Sequence, residues 1–207
     1  MTGISLMMIG SSKVPVQFIG SAFNDASNTF YSQPVPSGET GDLLILISGA
    51  NAAVDYSTPA GWTFLGKDSS ASRRAAWFYK TASAASESNF NVTVTAAAPI
   101  GGVVLRFRYA APTPSIGTIS TGTAPTAITA SAVSAGPGDL ILQCFVAGGS
   151  NAIFSVPSVS NGTLFTDTNA NQPSIAVFYQ NSASSNATST PTGTSVLNAV
   201  QIRLTAA

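Results

Sequence analysis

The side chains that could perform chemistry in this chain are few. Histidine, the commonest general base and metal ligand, is absent, and the single cysteine, Cys144, lies in the apolar run LILQCFVA. One cysteine without histidine excludes an internal disulfide and the ordinary zinc sites. None of the eight carboxylates forms a calcium-binding run, and most fall in predicted turns. The sequence therefore predicts no catalytic residue, no metal site, no cofactor and no enzymatic activity. The carboxylates are Asp25, Glu39, Asp42, Asp55, Asp68, Glu87, Asp139 and Asp167.

Charge is scarce and unevenly distributed. Only 8% of residues are charged and the net charge is zero, whereas an ordinary soluble domain has about 25% charged residues. No basic block and no apolar run of about 20 residues occurs, so neither nucleic acid nor a membrane is a predicted partner. Thirteen charged side chains lie in residues 1–110, and three lie in 111–207. Because interface centres are depleted of charge, the second half is the predicted subunit–subunit surface.

The elements that would position these side chains come from an internal repeat. Four blocks recur in one order about 100 residues later, which indicates a duplication. We therefore predict an N-terminal arm at 1–13, a first repeat at 14–110 and a second repeat at 111–207. The paired blocks are GDLLIL (41–46) and GDLIL (138–142), AGWTFL (60–65) and NGTLF (161–165), AWFYK (76–80) and AVFYQ (176–180), and VVLRF (103–107) and VQIRL (200–204).

Short apolar runs between turn residues predict strands and no helix. Leu105, Phe107 and Tyr109 alternate with Arg106 and Arg108, which predicts one apolar face and one wet face. Strands at this spacing predict an all-β fold of two tandem small antiparallel β-sandwich domains, jelly-roll or immunoglobulin-like. The predicted strands are 14–23, 29–32, 42–48, 63–67, 75–81, 89–95 and 102–109, then 116–120, 126–131, 139–147, 162–167, 174–181 and 198–205, with a loosely paired strand near 186–190.

Two features of the repeats are predicted to be structural. The Gly-Asp dipeptide before each central strand supplies a turn with positive φ and a carboxylate that accepts local backbone hydrogen bonds. Trp62, at a loop-to-strand junction, is predicted to plug one end of its sandwich. Alternation also predicts a buried core, and Cys144 is expected to be a buried small hydrophobe. The predicted core residues are Leu44, Leu46, Phe78, Val92, Leu105, Phe107, Ile141, Phe178 and Ile202.

The segment before the first strand is apolar and has no charge before Lys13. It lacks the basic start and the cleavage site of a secretory signal, so we interpret it as a retained arm. Burying its side chains would gain about 1.5–3 kcal/mol each. They are therefore the candidate partner contacts, either with the chain's own sandwich or with a neighbouring subunit or shell. They are Ile4, Leu6, Met7, Met8 and Ile9.

The pattern GDLL…PAGW…FYK resembles a β-sandwich module of tailed-bacteriophage virion structural proteins, of the capsid decoration (cement) or tail type. Its residues here are Gly41, Asp42 and Leu43, then Pro59, Ala60, Gly61 and Trp62, then Tyr79 and Lys80. The close match covers about residues 38–108. The second repeat departs from the pattern, with Thr163 aligned to Trp62 and Gln180 in place of Lys80.

The resemblance implies a non-enzymatic structural protein on the exterior of the phage particle. The leading expectation is a capsid decoration protein that binds the major capsid protein or other virion proteins and stabilises the assembled shell. It would act as a homo-oligomer, with a trimer among the options. The alternative is a tail or fibre module that recognises host-surface glycan through the candidate aromatic residues Tyr31, Tyr56 and Trp62.

Overall fold

The computed structural model describes residues 13–68, 74–148, 152–167, 173–182, 185–193 and 196–207, and the candidate contacts Ile4, Leu6, Met7, Met8 and Ile9 lie outside these ranges. The described residues form strands and no helix. The strands are β1 (Gln17–Gln33), β2 (Leu43–Ala50), β3 (Tyr56–Ser57), β4 (Thr63–Lys67), β5 (Arg74–Thr81), β6 (Phe90–Arg108), β7 (Ser115–Ile116), β8 (Ser120–Thr123), β9 (Ile128–Ala130), β10 (Leu140–Gly148), β11 (Gly162–Asp167), β12 (Ser174–Asn181), β13 (Ala187–Ser189) and β14 (Val196–Leu204).

The strands form two six-stranded antiparallel sheets and one small ribbon. The first sheet has the order β1-β6-β2-β5-β4, with β3 paired to β6. The second has the order β11-β12-β10-β14-β7, with β8 paired to β14, and β9 pairs with β13 in a two-stranded sheet. The predicted all-β class is confirmed, and the two sheets are consistent with two β-sandwich domains.

The repeated blocks occupy equivalent places in the two sheets. β2 and β10 are the central strands, and each lies between two strands that carry other repeated blocks. Leu43 of β2 pairs with Phe107, and Leu140, 97 residues later, pairs with Leu204, which is 97 residues after Phe107. The register of the central pair is therefore the same in both repeats.

One aligned block is corrected by the structure. β4 begins at residue 63 opposite Tyr79, and β11 begins at residue 162 opposite Tyr179, so the offset of this strand is 99 and not 101. The sequence comparison matched two glycines that have different roles. Gly61 lies in a turn at φ 78°, whereas the second glycine lies in the strand itself. The structural counterpart of Trp62 is therefore the residue two positions before Thr163, and not Thr163 itself, to which the sequence comparison aligned it.

The two sheets face each other across one shared core. β1 lies against β11, β2 against β10, and β4 against β7. Because β11 is the repeat equivalent of β4, and β7 takes the place of β1 beside β14, exchanging the repeats leaves these contacts unchanged. The repeats are thus related by an approximate two-fold axis. The shared core contains Leu43, Ile45, Ile47, Trp77, Val103, Leu105 and Phe107 from the first sheet and Leu140, Leu142, Cys144, Val146, Ile175, Val177, Val200, Ile202 and Leu204 from the second.

The face of each sheet away from the shared core is covered by an outer layer. In the first repeat β1 and β6 form one long ribbon that bends back over its own sheet, since the Gln33 side chain donates to the Ala22 carbonyl and Asn24 donates to the Ser32 carbonyl. In the second repeat the equivalent ribbon is divided into β8 and β9 on one side and β13 and β14 on the other. Both layers enclose a further apolar cluster.

This layering decides which core predictions hold. All nine predicted core residues are fully buried, and Cys144 is buried as expected. The predicted wet face is wrong, because Arg106 has no exposed surface and Arg108 is only partly exposed. The bent ribbon covers this face of the sheet and keeps water away from it. Tyr109, predicted to continue the apolar face, is instead exposed.

Several predicted strand boundaries are also corrected. The pairs 14–23 with 29–32, and 89–95 with 102–109, are each one continuous strand, because the ribbon bends through bulges without losing its pairing. The predicted strand 116–120 is interrupted, since β7 ends at Ile116 and β8 begins at Ser120. The strand expected near 186–190 is present as β13, paired to β9.

The proposed boundary at residues 110 and 111 lies between β6 and β7. Tyr109 has φ 59°, a left-handed conformation that is uncommon for a bulky residue. It turns the chain out of the first sheet, and Ala110 then forms a β-bridge with Ala206 near the C-terminus. The junction between the repeats is therefore hydrogen-bonded to the residues that follow β14.

Candidate interaction surfaces

The described part of the chain holds no group of three or more metal-ligating side chains. Cys144 is free and buried, and burial raises the pKa of its thiol. Such a thiol is protonated at neutral pH and inaccessible to a reactant. Among the residues that the structure describes, no helix is long and apolar enough to cross a membrane.

The most buried charges form an ion pair in the first repeat. Arg106 Nε donates to Asp42 Oδ2 over 2.9 Å, and both side chains are almost completely buried. Asp42 Oδ2 also accepts from the backbone N–H of Glu39 over 2.8 Å, and Gly41 has φ 92°, so the predicted role of the Gly-Asp turn is confirmed. The remaining guanidinium donors bond to backbone carbonyls, those of Pro36, Glu39, Ala84 and Ala85.

The electrostatics of this ion pair are those of a group that stabilises the fold. Burial by itself would raise the pKa of Asp42, but hydrogen bonds from Arg108, the Glu39 backbone and Arg106 hold it below its ordinary value. The carboxylate is therefore ionised at neutral pH, and its two oxygens already accept hydrogen bonds from Arg106, Arg108 and the Glu39 backbone. A group that accepts this many hydrogen bonds from its own chain is unsuited to act as a general base.

The second repeat keeps the same pair in a more open form. Arg203 Nε donates to Asp139 Oδ2 over 2.7 Å, but 28% of the Arg203 side chain is exposed. The backbone N–H groups of Gly136 and Ala206 also donate to Asp139, over 2.7 and 3.0 Å. Burial opposes ionisation here as well, and these bonds outweigh it, so the pKa of Asp139 is lowered.

Sequence reasoning missed that these arginines are partners of the Gly-Asp turns. The available signal was the recurrence of both members of the pair, because Asp42 to Asp139 and Arg106 to Arg203 have the same offset of 97. Two opposite charges retained together in a chain so poor in charge indicate an ion pair. The strand alternation alone predicted that Arg106 would lie on a solvent-exposed face.

The candidate glycan-binding aromatics do not form an exposed platform. Trp62 is buried and packs on Phe90 with ring centroids 4.8 Å apart, so its predicted role as a plug is confirmed. Tyr31 is buried and donates its hydroxyl to Ser48 over 2.8 Å. Tyr56 is half-buried, and burial raises the pKa of its hydroxyl.

Two adjoining depressions lie where the segment before β1 meets the second sheet. Their volumes are about 340 and 380 Å³, and they share Val16 and Asn181 in their lining. Among the described residues that line them, the one carboxylate is Asp139, which is already bound to Arg203. This corner therefore offers an open recess of mixed polar and apolar lining without a catalytic pair.

The outermost layers present two comparable faces on opposite sides of the molecule. The first outer face contains the exposed residues Phe30, Ser57, Asn91, Thr93 and Thr95, since Thr93 pairs with both Phe30 and Ser57. The second outer face contains the exposed residues Ile153, Thr188, Thr190 and Thr192, with Thr192 bonded through its backbone N–H to the Ile153 carbonyl. Asn91, Thr93 and Thr95 precede Thr188, Thr190 and Thr192 by the repeat offset of 97.

Comparison with known proteins adds no assignment, because no protein-family model, no curated protein and no solved structure matches the chain.

Proposed function

We propose that this protein is a non-enzymatic structural protein of a tailed-bacteriophage virion, where it decorates the capsid exterior and stabilises the assembled shell. Its partners are the major capsid protein or other virion proteins, and it acts as a homo-oligomer. The sequence pattern GDLL…PAGW…FYK supports the virion assignment. The fold supports a structural role for a different, physical reason.

The observation that carries the proposal is the use of charge. Asp42, Asp139 and Glu87 each bind a cationic side chain of the same chain and also accept backbone N–H groups. The charges thus hold the fold together, and the surface that remains is rich in hydroxyl, amide and small apolar groups. Contacts made by such a surface change little with ionic strength, which suits a coat that must persist outside the cell.

The alternative of a glycan-binding tail or fibre module gains no support from the geometry. Sugar recognition by stacking needs an exposed aromatic face, and the candidates Tyr31 and Trp62 are buried. The exposed aromatic rings of the described chain are Phe30 in β1, Phe64 in β4 and Tyr109 after β6, and no ring contact of the described residues joins any two of them.

Fractionation of purified particles tests the proposal. Virions of the phage that encodes this chain would be separated into heads and tails, and the chain would be quantified in each fraction by mass spectrometry. Decoration predicts that the chain copurifies with heads, in many copies, and stays bound when salt is raised. Copurification with tails would support the glycan-binding alternative, and absence from both fractions would contradict any virion role.

The N-terminal arm supplies a second test. Heads that lack the protein would be incubated with the full chain or with a variant from which residues 2–12 are deleted. If Ile4, Leu6, Met7, Met8 and Ile9 contact the shell, occupancy at matched concentration falls on deletion while the folded body keeps its thermal stability. Unchanged occupancy would remove the arm from the attachment mechanism and leave the sandwich faces.

A further inference from the structure

The sequence contains one Asn-Gly dipeptide, Asn161-Gly162, at the point where the chain enters β11. This dipeptide has a chemical consequence, because a glycine after an asparagine leaves its own backbone nitrogen unshielded by a side chain. Glycine also gives the backbone the widest range of conformations, so its nitrogen can reach the side-chain carbonyl of the preceding residue. Asn161 is therefore placed for an intramolecular reaction that needs no other catalytic group.

Packing in the second sheet requires this glycine. Gly162 pairs with Tyr179 of β12, and a Cβ added at residue 162 would lie 2.8 Å from Cε1 of the Tyr179 ring. The ring is itself packed against the shared core, so any larger residue at 162 would force it to move. The fold therefore selects a glycine at this position, whatever its effect on the asparagine before it.

The Asn161 side chain is accessible to solvent. It is exposed, and among the described strands β11 is an edge strand that pairs with β12 alone. Gly162 is the first residue of β11, so opening of one residue pair frees its backbone N–H. Opening at the end of an edge strand costs much less free energy than global unfolding. The reaction is therefore open to the folded chain.

The amide oxygen of Asn161 already has a backbone donor. The N–H of Asn181 donates to Asn161 Oδ1 over 2.8 Å, and the N–H of Asn161 donates to the Tyr179 carbonyl over 2.7 Å. Attack on the amide carbon would place negative charge on Oδ1. A donor that is aimed at this oxygen in advance stabilises the developing charge, as in an oxyanion hole. The hydrogen bond from Asn181 therefore favours attack at Asn161.

We propose that Asn161 is a deamidation site at which the chain modifies itself. The backbone nitrogen of Gly162 gives its proton to solvent base and bonds to Cγ of Asn161. The Cγ–Nδ2 bond then breaks, and Nδ2 takes up a proton and leaves as ammonia. Water opens the resulting succinimide ring at one of its two carbonyls and gives aspartate or isoaspartate. The overall reaction consumes water, releases ammonia and involves no oxidation or reduction.

The aspartate product fits the site. A carboxylate oxygen accepts the Asn181 N–H as the amide oxygen does, whereas isoaspartate would lengthen the backbone where β11 begins. Aspartate changes the formal net charge of the chain from zero to −1 and adds a fourth charge to a repeat that has three. Asn181 lines both depressions beside the segment before β1, so the new charge lies at their border. The inference concerns the isolated protein and does not depend on the virion assignment.

Mass spectrometry of the aged protein tests the proposal. The folded full chain would be incubated at mildly alkaline pH and body temperature and then digested, and the mass gain from amide to acid would be quantified at each asparagine. Asn186 is the matched internal control, because it is exposed and its Oδ1 accepts the Ala132 N–H over 2.9 Å, but alanine follows it. We expect Asn161 to react about tenfold faster than Asn186 or more, which corresponds to a barrier lower by about 1.4 kcal/mol.

Two variants complete the test. Asn161→Gln keeps an amide but moves it one bond away from the Gly162 nitrogen, so the acidic form seen on anion exchange should no longer accumulate. Asn161→Asp should elute with the aged acidic form and keep the melting temperature of the unmodified chain. Equal rates at Asn161 and Asn186, or an acidic form that accumulates in Asn161→Gln at the wild-type rate, would overturn the proposal.

The comparison of the two asparagines is made within one unaltered molecule. Its result therefore stands even if Asn161→Gln folds poorly, which thermal unfolding would reveal. A lower melting temperature of Asn161→Asp would contradict the fit of the aspartate product to the Asn181 N–H.

Discussion

The two repeats reach the same sheet order with different chemistry in their outer layers. At equivalent positions the first repeat has Leu46 and Val104, and the second has Gln143 and Gln201. All four side chains are fully buried. The first repeat covers its sheet with a continuous bent ribbon, so covalent connectivity and apolar packing hold the layer. The second repeat has a divided ribbon, and Gln201 bonds to its separate segments through the Ala130 and Ser185 carbonyls. Gln143 bonds instead to Gln180 of the neighbouring strand and to Ser160.

The Asp–Arg ion pairs of the two repeats also differ. In the first repeat the fully buried Arg106 bonds to four backbone carbonyls besides Asp42. In the second repeat, the partly exposed Arg203 bonds to Asp139, and backbone N–H groups donate the other hydrogen bonds that Asp139 accepts. The comparison shows that one sheet scaffold tolerates either an apolar or an amide-based attachment of its outer layer, provided that each buried polar group finds a partner.

The contact across the two-fold axis shows how the duplicated chain diverged. Gly49 and Val146 are repeat equivalents, and they face each other, since a Cβ added to Gly49 would lie 2.7 Å from a Val146 methyl. Two valines would collide at this position and two glycines would leave a gap. A glycine facing a valine fills the space at this position without a clash, which two identical residues could not do.

The largest expected effect comes from separating the repeats. Residues 14–110 and 111–207 would be produced as separate chains and compared with the full chain. Each repeat alone exposes the inner face of its sheet, including Ile45 in the first repeat and Leu142 in the second, which are fully buried in the pair. We therefore expect dye binding to exposed apolar surface, association and no cooperative monomeric melt. A separate repeat that is monomeric and melts cooperatively would show that the shared core is dispensable.

The next effect separates the two ion pairs. Arg106→Met removes the buried cation beside Asp42, which keeps only the partly exposed Arg108, and takes a guanidinium donor from four backbone carbonyls, so it should lower the free energy of unfolding by about 3–5 kcal/mol. Arg203→Met removes a partly solvated partner and should lower it by about 1–2 kcal/mol. Urea denaturation at neutral pH measures both. Equal losses would mean that burial of the pair does not distinguish the repeats.

Exchanging the buried amides gives a smaller effect. Gln201→Val installs the residue of the first repeat and leaves the Ala130 and Ser185 carbonyls and the Val133 N–H without their partner. The expected loss is about 1–3 kcal/mol in the free energy of unfolding. The reciprocal change, Val104→Gln, buries an amide that has no partner and should cost a similar amount. If either substitution is neutral in chemical denaturation, the outer layers are not specialised as described.

The smallest effect is confined to acid. Lys80 and the Ser83 N–H and hydroxyl bind the Glu87 carboxylate, and although burial opposes ionisation, they lower its pKa from 4.5 to about 2. Because the folded pKa lies below the unfolded one, this stabilisation is complete above pH 4.5 and is lost as the pH falls toward 2. Unfolding free energies measured between about pH 2 and 7 should fall more in the wild type than in Glu87→Gln. Parallel profiles would contradict this account.

Neutral pH gives the control for that prediction. The chain has no histidine, so no ordinary side-chain titration lies between about pH 5 and 8. Stability should therefore be flat over this range in both repeats and in every variant above. A step within it would indicate a proton-binding group that the fold places in an unusual environment.

The sequence by itself determined the class of fold and the pairing of equivalent strands. Period-two alternation and closely spaced turn residues specify strands because successive side chains of a strand point to opposite faces. The repeat offset of 97 then predicted that residues 41–46 and 138–142 would take the same central place, which they do. The Gly-Asp turn was also predictable, since positive φ and a carboxylate acceptor are local requirements.

Only the tertiary structure decided which faces are dry. The fate of Arg106 depends on a ribbon that bends back from residues distant in sequence, and no local alternation contains that information. The same holds for the inner faces of the two sheets, which are buried because the repeats pack on each other about a two-fold axis. Strand periodicity indicates that a side chain points to the opposite face of the sheet from the residues before and after it in sequence. Whether that face is buried depends on what the rest of the chain places against it.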